Sequence, residues 1–153
     1  MLNERKSPCL RGFFYGVKMN IIKLKADFYN QNQLIEALDK NRGYGLVTIQ
    51  LGNIQFGIPL RSNLNHKHGY RTTGTKGLDY SKAVIIDIQY SDGPFQIPSE
   101  ERKVINENEH KIKKQFDKYV SNYIRLVRKG HTEALSKEYR FSTLINYHSE
   151  LGI

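Results

Sequence analysis

Between Leu60 and Tyr70 the chain reads Leu60-Arg61-Ser62-Asn63-Leu64-Asn65-His66-Lys67-His68-Gly69-Tyr70, which crowds imidazoles, a guanidinium, an ammonium and a hydroxyl into one short stretch. RNA strand cleavage uses side chains of these types. RNA carries its own nucleophile, so scission needs a base for the 2'-hydroxyl, an acid for the leaving 5'-oxygen, and donors around the phosphorane. Imidazole suits both proton transfers near neutral pH. On that logic His66 and His68 are candidate proton-transfer groups, Arg61 and Lys82 candidate phosphate stabilisers, and Ser62 a donor or a participant in activating the hydroxyl.

Other chemistries fit less well. A His-x-His spacing recurs in zinc sites, but no Asp or Glu lies between Leu60 and Leu78 and no thiol is near, so a complete ligand set is hard to assemble. No metal and no other cofactor is expected. Ser62 lacks a Gly-x-Ser-x-Gly context and no obvious acidic orienter follows the histidines, which argues against a serine hydrolase. The plainer reading of His66 and His68 is that they help a loop keep its shape. For His110, His131 and His148, in helical or linker contexts, that plainer reading is preferred.

The elements that must position these groups follow from periodicity. Residues 1–18 mix basic residues with Pro8, Gly12 and Gly16 and read as an extension ahead of a single domain, 19–153, with Met19 a candidate start. A strand is expected over Asn20 to Lys25, and a short amphipathic helix from Asn30 to near Gly43. The period then changes to two. Gly45 to Gln50 and Ile54 to Pro59 read as a hairpin across Leu51-Gly52-Asn53, and Lys82 to Gln89 reads as a third strand. Leu60 to Ser81, rich in His, Arg, Gly and Thr, reads as a long polar loop, and loops of that length are disproportionately functional. From Ser99 a long helix is predicted to run to Gly130. A last helical segment, Glu133 to Leu151, is predicted to pack on the sheet and to stop at Gly152.

Composition narrows the partners. The chain has 153 residues and carries 24 Lys+Arg against 15 Asp+Glu, a formal charge of +9, which favours polyanions through counterion release and steering. Ten tyrosines add rings with a polar edge that stack on bases. The second half of the long helix is a cationic surface, with Lys111, Lys114, Lys118 and Arg125 as candidate phosphate contacts, although a solvated face matched to the helix dipole explains the same pattern. A single cysteine, Cys9, excludes an internal disulfide framework and fits a reducing compartment. No stretch reaches transmembrane length and no signal-peptide core is present, so a cytoplasmic protein without membrane contact is expected.

The run Phe56-Gly57-Ile58-Pro59-Leu60-Arg61-Ser62-Asn63, then His66-Lys67-His68, then Gly77-Leu78-Asp79-Tyr80-Ser81-Lys82-Ala83-Val84, resembles the type III toxin–antitoxin endoribonucleases of the ToxN/AbiQ superfamily, closest to the CptN and TenpN branches. The closing Tyr139-Arg140-Phe141-Ser142-Thr143-Leu144 is similar to their C-terminal signature, so the similarity spans roughly Met19 to the end. This resemblance implies an α+β fold: a compact, twisted antiparallel β-sheet like the MazF and Kid core, flanked by helices, with one long helix in the C-terminal half. It implies metal-independent cleavage to a 2',3'-cyclic phosphate and a 5'-hydroxyl. The implied partner is a repetitive, pseudoknotted antitoxin RNA that inhibits the toxin in a closed protein–RNA assembly, and the implied substrate is cellular or phage mRNA. In the ToxN branch a Thr-Ser-x-Lys motif follows Pro-Leu, with a basic residue ahead of the first hairpin strand. Here Arg61 and Ser62 take the Thr-Ser positions, Leu64 stands where the lysine would be, and Arg42 matches the earlier basic residue.

The site expected from the sequence is therefore Arg42, Arg61, Ser62, His66, His68 and Lys82 around the scissile phosphate. Tyr44, Tyr70 and Tyr80 are stacking candidates, and Lys67, Arg71 and Lys76 join the helix cations as RNA contacts. The alternative is a non-catalytic RNA-binding module in which the same groups only clamp phosphates. A DNA-binding regulator fits less well, because no helix-turn-helix spacing is present.

Overall fold

The computed structural model describes residues 19–25, 27–28 and 45–153. The extension 1–18, the helix expected from Asn30 to Gly43, and the candidates Arg42 and Tyr44 lie outside the described residues.

The period-two segments form the centre of the molecule. Strand β1 (Ile21–Leu24) lies beside β2 (Leu46–Leu51), and β2 turns back into β3 (Ile54–Arg61) with register from Leu51↔Ile54 to Leu46↔Pro59. Gly52 makes that turn at φ 59°, where a side chain would be strained. Strand β2 reads Leu-Val-Thr-Ile-Gln-Leu and is buried almost throughout. Successive side chains point to opposite faces, so both faces of β2 are covered.

The stretch expected as an unstructured loop instead builds its own hairpin. Strand β4 (Gly69–Arg71) pairs with β5 (Gly77–Asp79), and β5 pairs with the far end of β3 through Leu60↔Leu78 and Arg61↔Gly77. The third strand expected over Lys82 to Gln89 is reduced to β6 (Val84–Ile85), with 3-10 turns at Tyr80–Lys82 and Ile88–Tyr90 on either side. An unexpected strand, β7 (Ser91–Pro94), pairs with β1 at the sheet edge, a place that tolerates proline. The result is a seven-stranded sheet in which every pairing is antiparallel, ordered β4-β5-β3-β2-β1-β7 with β6 also on β3.

The helices follow in an α+β arrangement. The helix expected over Ser99 to Gly130 divides at Asn108 into α1 (Ser99–Glu107) and the 21-residue α2 (Glu109–Lys129). Asn108 Nδ2 donates to the Val104 carbonyl at 2.7 Å, and Asn108 sits at φ −115°, ψ 19°. Its side chain competes with the backbone for the same acceptor, which interrupts the helix. Residues Ile112, Phe116, Val120, Tyr123 and Ile124 make the buried stripe of α2, with Phe116 edge-on to Phe56 of β3 at 5.0 Å between ring centres. Gly130 ends α2 at φ 68°, as its sequence position indicates.

The segment expected as one helix from Glu133 to Leu151 is also divided. It comprises α3 (Thr132–Glu138), a turn, a 3-10 stretch Thr143–Tyr147, and α4 (His148–Leu151), which Gly152 closes at φ 74°. Ser142 caps the start of the 3-10 stretch by accepting the Leu144 N–H on its own hydroxyl. Leu144, Tyr147 and Leu151 from this segment join the same core as β2 and α2. Among the described residues no helix is long and apolar enough to cross a membrane.

Gly77 is a tight point of the β4–β5 excursion: a Cβ there would lie 2.6 Å from the Leu64 side chain and 2.6 Å from the Tyr70 carbonyl oxygen. Gly77→Ala is expected to lower stability by about 1–3 kcal/mol in urea unfolding. An unchanged unfolding midpoint would contradict this packing.

Candidate functional site

Strands β3 and β5 create the site through their register. Because Arg61 pairs with Gly77, Asp79 lies two residues along on the same face, within diagonal reach of the arginine. Arg61 Nε donates to Asp79 Oδ2 at 2.9 Å. The loop between β3 and β4 then brings His66 over the same carboxylate, with Nε2 3.2 Å from Asp79 Oδ1. Ser81 completes the cradle from the following 3-10 turn: its N–H and hydroxyl donate to Oδ1 at 3.0 and 2.5 Å. Asp79 is 1% exposed, and a carboxylate that far from water is costly to bury unless donors surround it.

The second ring nitrogen of His66 is also engaged. Nδ1 accepts the backbone N–H of His68 at 3.1 Å. A nitrogen that accepts carries no proton, so the neutral ring that satisfies both contacts is protonated on Nε2. His68 has a looser environment. Its ring packs against Tyr119 and Tyr139, and its Nε2 lies 3.9 Å from Glu138 Oε1. Burial, and then the Lys67 charge, hold its pKa below the usual 6.5, against an opposing pull from Glu138. His68 is therefore suited to accept a proton near neutral pH.

A cleft of about 880 Å³ opens above these groups. Arg61, His66, His68, Asp79 and Lys82 line one side, and Lys137, Glu138, Arg140 and Phe141 line the other. Among the described residues the terminal guanidinium nitrogens of Arg61 have no hydrogen-bonding partner, since Nε makes its bond to Asp79. Lys82 Nζ donates to the Phe141 carbonyl at 3.2 Å, which ties the two walls together. The Thr143 hydroxyl also donates to the Ala83 carbonyl. The motifs Gly77–Val84 and Tyr139–Leu144, far apart in the sequence, thus meet at one cleft.

A second cleft of about 750 Å³ shares His68, Tyr119 and Glu138 with the first, and is also lined by Lys67, Lys118 and Arg125. Lys67 Nζ lies 2.7 Å from Glu138 Oε1, and this contact is the main reason the Glu138 pKa is held below its usual value. Tyr119 closes the floor. Its hydroxyl donates to Ser142 Oγ at 2.9 Å, and burial pushes its pKa up.

Of the remaining described candidates only Tyr80 reaches either cleft. Ser62 is exposed and is not among the residues lining either cleft, although its carbonyl accepts the Thr75 hydroxyl at 2.9 Å. Tyr80 lines the second cleft but is buried there: its hydroxyl donates to Gln115 Oε1 at 3.0 Å and its ring packs on Phe116, which leaves little of the ring open to a base. Tyr70 is half-buried with Lys111 Nζ 6.0 Å from its ring centre. Tyr70, Arg71, Lys76, Lys111 and Lys114 line neither cleft. Leu64 is buried beneath the β4–β5 hairpin and packs where Cβ atoms on Gly69 and Gly77 would fall, so it serves the core.

Asp79 is the acidic orienter that the sequence did not reveal, and Glu138, Arg140 and Phe141 were missed with it. The available signal for Asp79 was an acid directly after Leu78 and ahead of Tyr80 and Ser81, in a stretch that turns out buried. Among the described residues no group of three or more His, Cys, Asp or Glu is arranged to hold a metal ion. No protein-family model, curated protein or solved structure matches the chain.

The Lys67 charge lowers the His68 pKa directly, and it also occupies the carboxylate that would raise it. In an NMR titration His68 is expected to have a midpoint below 6.5, moving upward in Lys67→Met. A downward move would contradict the assigned electrostatics.

Proposed function

We propose that the chain is a metal-independent endoribonuclease, the toxin of a type III toxin–antitoxin system acting in the cytoplasm. The observation that supports it best is the meeting of Arg61, His66, His68 and Lys82 at one cationic cleft around a buried carboxylate. His68 takes the 2'-hydroxyl proton as the 2'-oxygen bonds to phosphorus. The bond from phosphorus to the 5'-oxygen breaks, and that oxygen leaves with a proton, giving a 2',3'-cyclic phosphate and a 5'-hydroxyl. Asp79 holds the His66 ring at Nε2, so once the His68 amide releases Nδ1 and that nitrogen takes up a proton from water, the resulting imidazolium delivers it to the 5'-oxygen. The free nitrogens of Arg61 and the Lys82 ammonium stabilise the phosphorane.

In this reading the second cleft carries the strand onward over Lys67, Lys118 and Arg125. The substrate is cellular or phage mRNA, and the inhibitor is a repetitive, pseudoknotted antitoxin RNA that the toxin processes and that then fills the same groove in a closed assembly. The resemblance of the sequence motifs supports this partner, and the convergence of two of those motifs on one cleft is in keeping with it. A non-catalytic RNA-binding module is the second reading. The engagement of both His66 ring nitrogens favours it.

The two readings differ in product. In EDTA, an adenine-rich RNA is expected to be cut to cyclic phosphate ends while a fully 2'-O-methylated copy stays intact, and His68→Ala is expected to slow cutting by about 100- to 10,000-fold. Tight binding with both RNAs intact would sink the nuclease and leave the binding module.

A further inference from the structure

Among the described residues the large apolar side chains left open to solvent are Phe141, 70% exposed, and Ile145, 68% exposed. A single exposed apolar residue is ordinary on a protein surface. Phe141 has a context that Ile145 lacks. It lines the larger cleft, and Ile145 does not. The Arg140 guanidinium lies 5.2 Å from its ring centre. Its own carbonyl accepts the Lys82 ammonium at 3.2 Å, so an open aromatic face and a cleft-lining cation are fixed to each other through one residue.

We infer that Phe141, with Arg140 beside it, is a stacking site for the nucleobase next to the phosphate held at Arg61 and Lys82; this rests on the RNA reading of the same cleft. A nucleotide offers an uncharged π-face joined at short range to an anion, and the site offers a ring joined at short range to cations. An apolar protein side chain would match the ring alone and leave Arg140 and Lys82 to be desolvated without a counter-charge. Glu138, the other carboxylate at this cleft besides Asp79, is already held by Lys67. The Tyr139 hydroxyl on the Tyr119 carbonyl anchors the chain before Phe141, and the Thr143 hydroxyl on the Ala83 carbonyl anchors it after, so the ring is presented by a fixed segment.

The test uses the full chain and a 2'-O-methylated RNA carrying 2-aminopurine at one position at a time. At one position binding is expected to quench the fluorescence. Phe141→Ala is expected to abolish that quenching and weaken binding by about 5- to 150-fold, the range for loss of one base stack. Phe141→Trp is expected to keep both. An abasic residue at the same position should reproduce the loss with the unaltered protein and add nothing further in Phe141→Ala, which keeps the test independent of how a variant folds. Unchanged quenching and affinity in Phe141→Ala, with the unaltered protein binding RNA, would overturn the stacking site and leave the nuclease reading standing. Failure of the unaltered protein to bind any of these RNAs would overturn both. Self-association of the unaltered protein that is lost in Phe141→Ala would overturn the stacking site by assigning the ring to a contact between copies of this chain.

Discussion

A carboxylate removed from water must be met by polar partners, and Asp79 is met from three pieces of chain. Arg61 reaches it from β3, His66 from the loop that follows, and Ser81 from the turn after β5, with both its backbone and its hydroxyl. Each of these donors belongs to a different piece of chain, so the carboxylate fixes where those pieces sit relative to one another. Charge-assisted bonds of this kind are roughly twice as strong as neutral ones. Asp79 also decides what is left over. Arg61 spends Nε on it and keeps its terminal nitrogens for the cleft, and His66 is turned so that its proton lies on Nε2. The hydroxyl of Ser81 is committed to Oδ1.

The opposite wall is held by tyrosines. Tyr139 donates to the Tyr119 carbonyl at 2.8 Å, Asn122 donates to the Tyr139 hydroxyl at 3.1 Å, and the Tyr123 hydroxyl and His148 Nε2 meet at 2.6 Å. These bonds fasten the C-terminal segment to α2, which itself packs on β3 through Phe116 and Phe56. The wall that carries Glu138, Arg140 and Phe141 is therefore positioned by the core, although α3 itself buries no residue. His68 lies where the two walls approach, between the cleft over Asp79 and the cleft over Lys118 and Arg125. A charge at that point influences both.

What was legible in the sequence is what has a strong period. The β2–β3 hairpin announced itself by alternation and by Gly52-Asn53, and α2 by its buried stripe and by Gly130. Strands β4 and β5 did not, because each is only three residues long and is stabilised by pairing far along the chain rather than by its own composition. The break at Asn108 and the new start at Ser142 come with single side-chain hydrogen bonds that leave no periodic trace. The site divided in the same way. His66, His68, Arg61 and Lys82 were legible as a cluster of chemistry-bearing types, and the cleft brings them together. Asp79 was hidden because a lone acid beside a polar stretch reads as solvated, and only the strand register reveals that it is buried beside Arg61. Ser62, read as a participant from its place in the motif, lies next to Arg61 in sequence but outside the cleft lining.

The claim on which the site depends is that Asp79 sets the state of His66. Ring nitrogen-15 shifts separate the two neutral tautomers of a histidine directly. With the unaltered protein, the neutral His66 ring is expected to carry its proton on Nε2, with Nδ1 bare toward the His68 amide. A neutral ring protonated on Nδ1 would contradict it, because that ring can neither donate to Asp79 nor accept from His68.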